Sequence, residues 1–418
     1  MTERMKNALL AVLLALMLLL TGATMFWSMR TSRSAGLRSA ETDGEAGGLR
    51  LSAVQTAVYP EQLTVFCQNG IFRPVEKIDY DLLYQQIEPF YLEALGSAGK
   101  LTALEERPYL RRMKPPAVLV QFHAPQPLAL LRIWSGGAET GEALLIRQVI
   151  LVKEEESVIA LFTDEAGGRW QSETAASVEE LETICGGGWE SNAVLTGADY
   201  PSLAADEVLI DSVISVRTIY AGMTEFARKR ELPQSVLTAF GMNAYLSKVY
   251  PDAGGNLVYV EGRSTVRVSD EGDLHYTGEA DLDLSAGYGP GMEAEACRKI
   301  AYLLEELWSL TGAGGNLSLE ELRREADGAL ALRFGLAEGG LFLERRDGLW
   351  AAAVVRDGML TELMASPRML EYGDSSLLMP MRLAAGALPE GRARLCIRLL
   401  EQENAGAFEP VICRVTED

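Results

Sequence analysis

The sequence predicts an α+β protein: a single N-terminal transmembrane helix, then antiparallel-sheet domains that each carry one or two packed helices. Three observations predict it. An uncharged apolar run, Ala8 to Met29, is 22 residues long and as a helix would span about 33 Å, enough to cross a hydrocarbon core of ~30 Å. Beyond it, short apolar or alternating segments recur between polar, glycine-bearing turns, the pattern of antiparallel strands. Between those lie longer segments whose apolar residues return at helical spacing.

The apolar run can be a retained anchor or a cleaved leader. A leader has an apolar stretch of ~7–15 residues before its cut. Here the run continues through Met25, Phe26 and Trp27, and Trp27 stands where an interfacial aromatic belongs. The anchor is the reading adopted, with residues 1–7 as a cytoplasmic end, 8–29 as the span and 30–50 as a flexible Ser/Gly/Ala/Glu-rich stalk. Arg4 and Lys6 precede the run while Arg30, Arg33 and Arg38 follow it, so positive charge alone does not orient it. The small charged N-terminal end matches an export signal and places the bulk of the chain outside the cell membrane, as a single-pass protein. Ala8, Ala11, Ala15 and Gly22 fall near one stripe of this helix. Small residues let membrane helices approach closely, so the stripe is a candidate transmembrane interaction face.

Composition narrows the function classes. The chain holds 38 Lys+Arg against 59 Asp+Glu, a net charge of −21. Nucleic-acid binding requires a basic surface to release counterions, and this balance excludes it. Broad docking on anionic lipid is excluded on the same ground. Contact with the membrane is thus expected through the one helix.

Three folded segments follow. Residues 51–200 read as an N-terminal α+β domain. Strands LRLSAVQTAV and LTVFC come first, then a helix from about Asp79 to Leu95 with Tyr80, Leu83, Tyr84, Ile87, Tyr91, Ala94 and Leu95 on one face. Pro89 predicts a kink or a break within that helix. AVLVQF (117–122), ALLRIW (129–134), LLIRQVILV (144–152) and SVIALFT (157–163) read as strands. Ser177, three residues before Glu180, makes a capping box that opens a short helix. Residues 201–290 read as a middle domain of helix plus meander: SVLTAFGMNAYLSKVY, bounded by Pro233 and Pro251, then strands NLVYVEG, STVRVS and DLHYTG. Residues 291–418 read as a C-terminal domain, with a helix that places Cys297, Ile300, Ala301, Leu304 and Trp308 on one face. Strands at 330–336, 339–348, 349–358 and 359–366 follow it, punctuated by two Arg-Asp-Gly turns at 346–348 and 356–358, since Asp-Gly suits positions of positive φ.

The residues offer little to catalysis. His123 and His275 each lie in or beside a strand without an oriented nucleophile, and no nucleophile-elbow, zincin or phosphate-loop motif occurs. No enzyme, metal site or cofactor is expected. GYGPG (287–291) lacks a following lysine and reads as a linker. Glu279, Asp281 and Asp283 alternate along a strand and read as a solvated face rather than a calcium site. Five scattered cysteines show no zinc spacing. Cys396 and Cys413 sit symmetrically in a hairpin of ARLCIRLL and EPVICRVTE. They are either a cross-strand bridge or two small hydrophobes facing each other, the second being the commoner outcome. The basic run Arg107, Arg111, Arg112 and Lys114 is conspicuous in so acidic a chain. It is a candidate surface for an acidic partner or a phosphate-rich wall polymer, the bland alternative being a loop balanced by Glu105 and Glu106.

The order of these features resembles the YycH family, accessory regulators of the WalK-type sensor histidine kinase of Gram-positive bacteria. PAVLVQFHAPQPLALLRI (116–133) resembles the family's first-domain strand and its F-x-x-P turn. NLVYVEGRSTVRVSDEGDLHYTG (256–278) is similar to its meander, and AFEPVICRV (407–415) to its closing strand, with Ile412 and Cys413 where an aromatic is the family's habit. The sister family YycI shares the anchor and last domain but is shorter than this chain. The resemblance implies a membrane-anchored, extracytoplasmic regulator without catalysis. It would modulate a histidine kinase through protein contact and transmembrane helix packing, with that kinase and a second single-pass regulator as partners and a homo-oligomer left open. A wall- or polymer-binding module with no kinase partner is the alternative.

Overall fold

The chain divides into two units, Met1–Ser52 and Ala53–Asp418. The computed structural model describes residues 59–416 except 138–143, 197–199, 201, 285–289, 347, 389–392 and 404–405, all in the second unit. Two large sheets make up most of it.

The first sheet has nine strands: β1 (Gln62–Cys67), β2 (Gly70–Phe72), β3 (Thr102–Ala103), β4 (Ala117–Pro127), β5 (Leu145–Glu154), β6 (Ser157–Asp164), β7 (Arg169–Glu173), β8 (Ala193–Leu195) and β9 (Val208–Ile210). Their order is β3-β7-β6-β5-β4-β1-β2-β8-β9, and every pairing is antiparallel. The central strands are apolar on both faces, so successive residues enter different cores. Val65, Val118 and Val120 meet helix α1 (Lys77–Ser97), while Phe66, Ala117 and Leu119 meet Tyr109 of α2 (Glu106–Arg112). Helix α3 (Leu128–Trp134) follows β4, and α4 (Val178–Cys185) adds Leu181 and Ile184 to the α1 side. Ser177 caps α4 as read, its Oγ accepting from the Glu180 N–H at 3.4 Å.

Thirteen strands build the second sheet: β10 (Ile214–Met223), β11 (Lys248–Pro251), β12 (Leu257–Glu261), β13 (Ser264–Val268), β14 (Leu274–Asp281), β15 (Asn316–Arg324), β16 (Leu330–Glu338), β17 (Leu341–Glu344), β18 (Ala351–Arg356), β19 (Met359–Ala365), β20 (Arg368–Leu378), β21 (Ala393–Glu401) and β22 (Ala407–Thr416). The order is β11-β12-β13-β14-β19-β18-β16-β17-β21-β22-β10-β20, with β15 added on β16. Among its described strand pairs, β17 and β21 run parallel and the others antiparallel. Helices α5 (Glu225–Lys229), α6 (Gln234–Ala239), α7 (Pro290–Thr311) and α8 (Met381–Gly386) accompany it. The face of α7 read from spacing is the buried one: Cys297, Ile300, Ala301, Leu304 and Trp308 all enter the core. The second Arg-Asp-Gly is a tight turn with Asp357 at φ 51° and Gly358 at φ 78°, both left-handed as the turn requires.

The fold class expected from sequence is corrected. The described chain is mostly antiparallel sheet with few helices, and strands from both sides of residue 290 share one sheet through the β14–β19 pairing. Among the described residues no helix is long and apolar enough to cross a membrane. The run Ala8–Met29, with Ala8, Ala11, Ala15 and Gly22, lies outside the described residues. Three local readings also change. ALLRIW is helix α3, not a strand; it is buried almost all round, where periodicity cannot separate the two. The segment after Pro233 is helical only to Ala239, because Gly241 at φ 71° turns the chain and Lys248–Pro251 pairs as a strand. Helix α1 is one undivided element through Pro89, its two halves pinned by Ile87, Phe90 and Tyr91 in the core.

Candidate interaction groove at the seam of the two sheets

Strand β21 alternates Arg394, Cys396 and Arg398 on the face turned toward the first sheet. Arg394 reaches Asp206 Oδ1, Glu207 Oε2 and Gln148 Oε1, each at 3.1 Å, and all four residues are buried. Burial pushes the Glu207 carboxyl up to about 7, against the pull of Arg394 and Arg73. Two residues on, Arg398 pairs with Glu61 and with Glu344. His123 completes this second knot. Its Nδ1 lies 3.2 Å from Glu61 Oε1, its Nε2 lies 3.7 Å from Glu320 Oε1, and its ring stacks on Phe342 at 4.0 Å. Burial works to raise Glu61, but the hydrogen bond and charge of His123, with Arg398 and Arg73, outweigh it and hold the carboxyl below its ordinary range. Two carboxylate-bonded cationic knots therefore lock the sheets together, and neither contains a nucleophile set up for attack.

Beside this seam opens a cavity of about 430 Å³. Val75, Lys77 and Ile78 supply one wall from the start of α1; Ser215, Arg217 and Ile219 of β10 supply another; Glu338, Leu341, Tyr372 and Ser375 close it. Lys77 Nζ and Tyr372 Oη both donate to Glu338 Oε1, which is only 5% exposed. Burial disfavours the Lys77 ammonium, yet the Glu338 contact prevails and raises its pKa. Burial, and then the same carboxylate, raises the Tyr372 hydroxyl. Lys77, Tyr372 and Glu338 thus satisfy one another within the cavity, while Ile78 stands exposed in its wall. Ile78 is 70% exposed, Leu82 follows it one turn on along α1, and Leu377, 75% exposed, lies on β20 two residues from the lining residue Ser375. Apolar side chains gathered in this way on a surface mark a contact site. A second hollow, of about 440 Å³ beside Gln68, Pro116, Cys185 and Trp189, presents fewer charges.

No family model and no curated protein matches the sequence. Among solved structures, YycH from Bacillus subtilis aligns with a TM-score of 0.55, covering 90% of this chain and 99% of that one at 9% identity. The likeness is one of fold. At that identity it extends over almost the whole described architecture and assigns no site, since fold does not imply function.

The residues singled out in sequence are found as follows. Arg107, Arg111 and Lys114 are exposed on and after α2, on the first sheet. Arg112 is held down by Glu154 at 3.2 Å and by Gln171. Arg107 and Arg111 lie one helical turn apart on α2, Lys114 follows its end, and none of the four lines the groove. His275 bonds Glu362 at 2.9 Å. Glu279 pairs with Arg263, while Asp281 accepts from the Asp283 N–H at 2.8 Å in a turn, so the three carboxylates do not converge. Among the described residues no group of His, Cys, Asp or Glu is placed to hold a metal.

Cys396 and Cys413 are register partners, and both are free. The Gln402 N–H donates to Ala407 O at 2.8 Å, which fixes the parity of the hairpin. Counting back in steps of two, Cys396 and Cys413 form a hydrogen-bonded pair. Cβ atoms at such positions lie toward ~5.5 Å apart, beyond the ~3.5–4.5 Å of a disulfide.

Sequence reading missed Lys77, Arg217, Glu338 and Tyr372, because they converge from four distant elements. One signal was available: Ile78 and Leu82 are apolar, four residues apart, and off the core face of α1.

Proposed function

We propose that this chain is an accessory regulatory protein that acts outside the cytoplasm and modulates a two-component sensor histidine kinase by protein contact. The observation that carries the reading is the YycH-like fold over 90% of the chain, which agrees with the resemblance of residues 116–133, 256–278 and 407–415. The groove supports it, with Lys77 and Tyr372 satisfied on Glu338 and Ile78 exposed in its wall. The kinase and a second regulator are the partners. The test is co-purification of the tagged chain with the kinase from cells, repeated with Ile78→Asp and Leu377→Asp. Loss of the kinase in the double variant supports the reading. Absence of the kinase from the unaltered chain's complexes overturns it.

A second reading rests on Arg107, Arg111 and Lys114, three exposed cations close in sequence in an acidic protein. On this reading they hold a phosphate-rich wall polymer. Sedimentation with purified wall material, abolished by charge reversal of these three residues, tests it.

A further inference from the structure

The thirteen-stranded sheet ends on β20, eleven residues long. One side of β20 pairs with β10 from Ile214–Leu378 to Met223–Arg368. On its other side the loop at 312–315 reaches only the start of the strand, where the Gly314 N–H donates to Arg368 O at 2.9 Å. From Glu371 to Leu378 that outer side has no strand partner among the described residues. An edge of this length invites another strand, and most proteins blunt such edges with lysine, proline or brevity. The far edge of the same sheet does so: β11 has four residues, one of them Lys248 and the last Pro251. β20 carries no lysine and no proline.

Its side chains say what kind of strand fits. Tyr372, Ser375 and Leu377 pair in register with Ile219, Arg217 and Ser215, all lining the groove. An added strand would therefore lay every second side chain along the face of β20 that carries Tyr372, Ser375 and the exposed Leu377. Glu371 pairs with Tyr220 on the opposite face, and Asp374 stands at the register shift; both carboxylates are exposed and neither makes an ion pair among the described residues. We infer that β20 is a strand-addition site for an extended polypeptide segment of a partner protein that alternates apolar and basic residues. Backbone hydrogen bonds would supply affinity and the two side-chain rows specificity, as in β-augmentation. Glu371 and Asp374, in a chain of net charge −21, select the basic row. The inference deepens the regulatory reading by naming how the partner is held.

The probe is a capped peptide of about eight residues alternating Lys and Val, titrated against the full chain, with amide exchange read over 371–378. Protection confined to β20 is expected. Affinity should fall about tenfold or more in three cases: when alternate backbone amides of the peptide are N-methylated, when its residues are regrouped as a Lys block and a Val block, and in the Glu371→Lys/Asp374→Lys variant. Equal binding of the N-methylated and regrouped peptides would reduce the effect to charge attraction and overturn the inference, as would protection elsewhere. Kinase capture that ignores the β20 variant overturns this inference alone. Peptide capture at β20 without kinase capture overturns the regulatory reading alone.

Discussion

Glu207 makes the fold's stability depend on pH in a direction opposite to that of most carboxylates. Its side chain is 1% exposed, accepts from Arg394 Nη1 at 3.1 Å and from the Leu395 N–H at 3.2 Å, and lies beside the like charge of Asp206. Desolvation dominates and lifts its carboxyl from 4.5 to about 7. A folded-state pKa above the unfolded one means the folded protein binds the extra proton. The stability this contributes is complete below about pH 4.5 and is lost as pH rises through 7. At 1.36 kcal/mol per pH unit the difference comes to about 3 kcal/mol. Urea denaturation at pH 5, 6, 7 and 8 measures it, with Glu207→Gln as the control that keeps an acceptor for Arg394 but cannot titrate. The unaltered chain should lose about 2.5 kcal/mol relative to the variant between pH 5 and pH 8. Parallel pH profiles for the two proteins would refute the assignment.

Phe342, 1% exposed and stacked on His123, joins the two sheets; Phe342→Ala should cost about 3–5 kcal/mol in chemical denaturation, and a cost below 1 kcal/mol would contradict the packing. Glu338→Ala strips the acceptor from Lys77 and Tyr372 and should destabilise by about 1–2 kcal/mol; an unchanged urea midpoint would sink that prediction. All five cysteines are free, so alkylation of the denatured chain without reductant should add five adducts by intact mass, whereas three would mean a bridge. Reversing Arg107, Arg111 and Lys114 to Glu should leave stability within about 0.5 kcal/mol per site, and a large loss would show that these side chains are structural.

Much of the second sheet was legible because its strands are short, alternate cleanly and are separated by Asp-Gly or Gly-bearing turns. The meander at 257–281 and the turn at Asp357-Gly358 follow directly from such signals. The face of α7 was legible for the same reason, since one side of a long helix must be apolar. The doubly buried strands β4, β5 and β6 were legible too, but the buried helix α3 was not. Leu128–Trp134 is buried on nearly every side, so its pattern carries no period. The joining of strands across residue 290 was also illegible, because the β14–β19 pairing links residues about 78 to 91 positions apart and no local signal encodes it. The groove was hidden for that reason too: Lys77 and Glu338 meet across 261 positions. Arg107, Arg111 and Lys114 could be placed together from sequence because one short helix and its exit hold all three.

The most direct test of the regulatory reading is the phosphorylation level of the partner kinase in cells with the chain, without it, and with the Ile78→Asp/Leu377→Asp variant. A change on removal that the unaltered chain restores and the variant does not is the predicted result. Kinase phosphorylation indifferent to all three states would contradict regulation by contact at the groove.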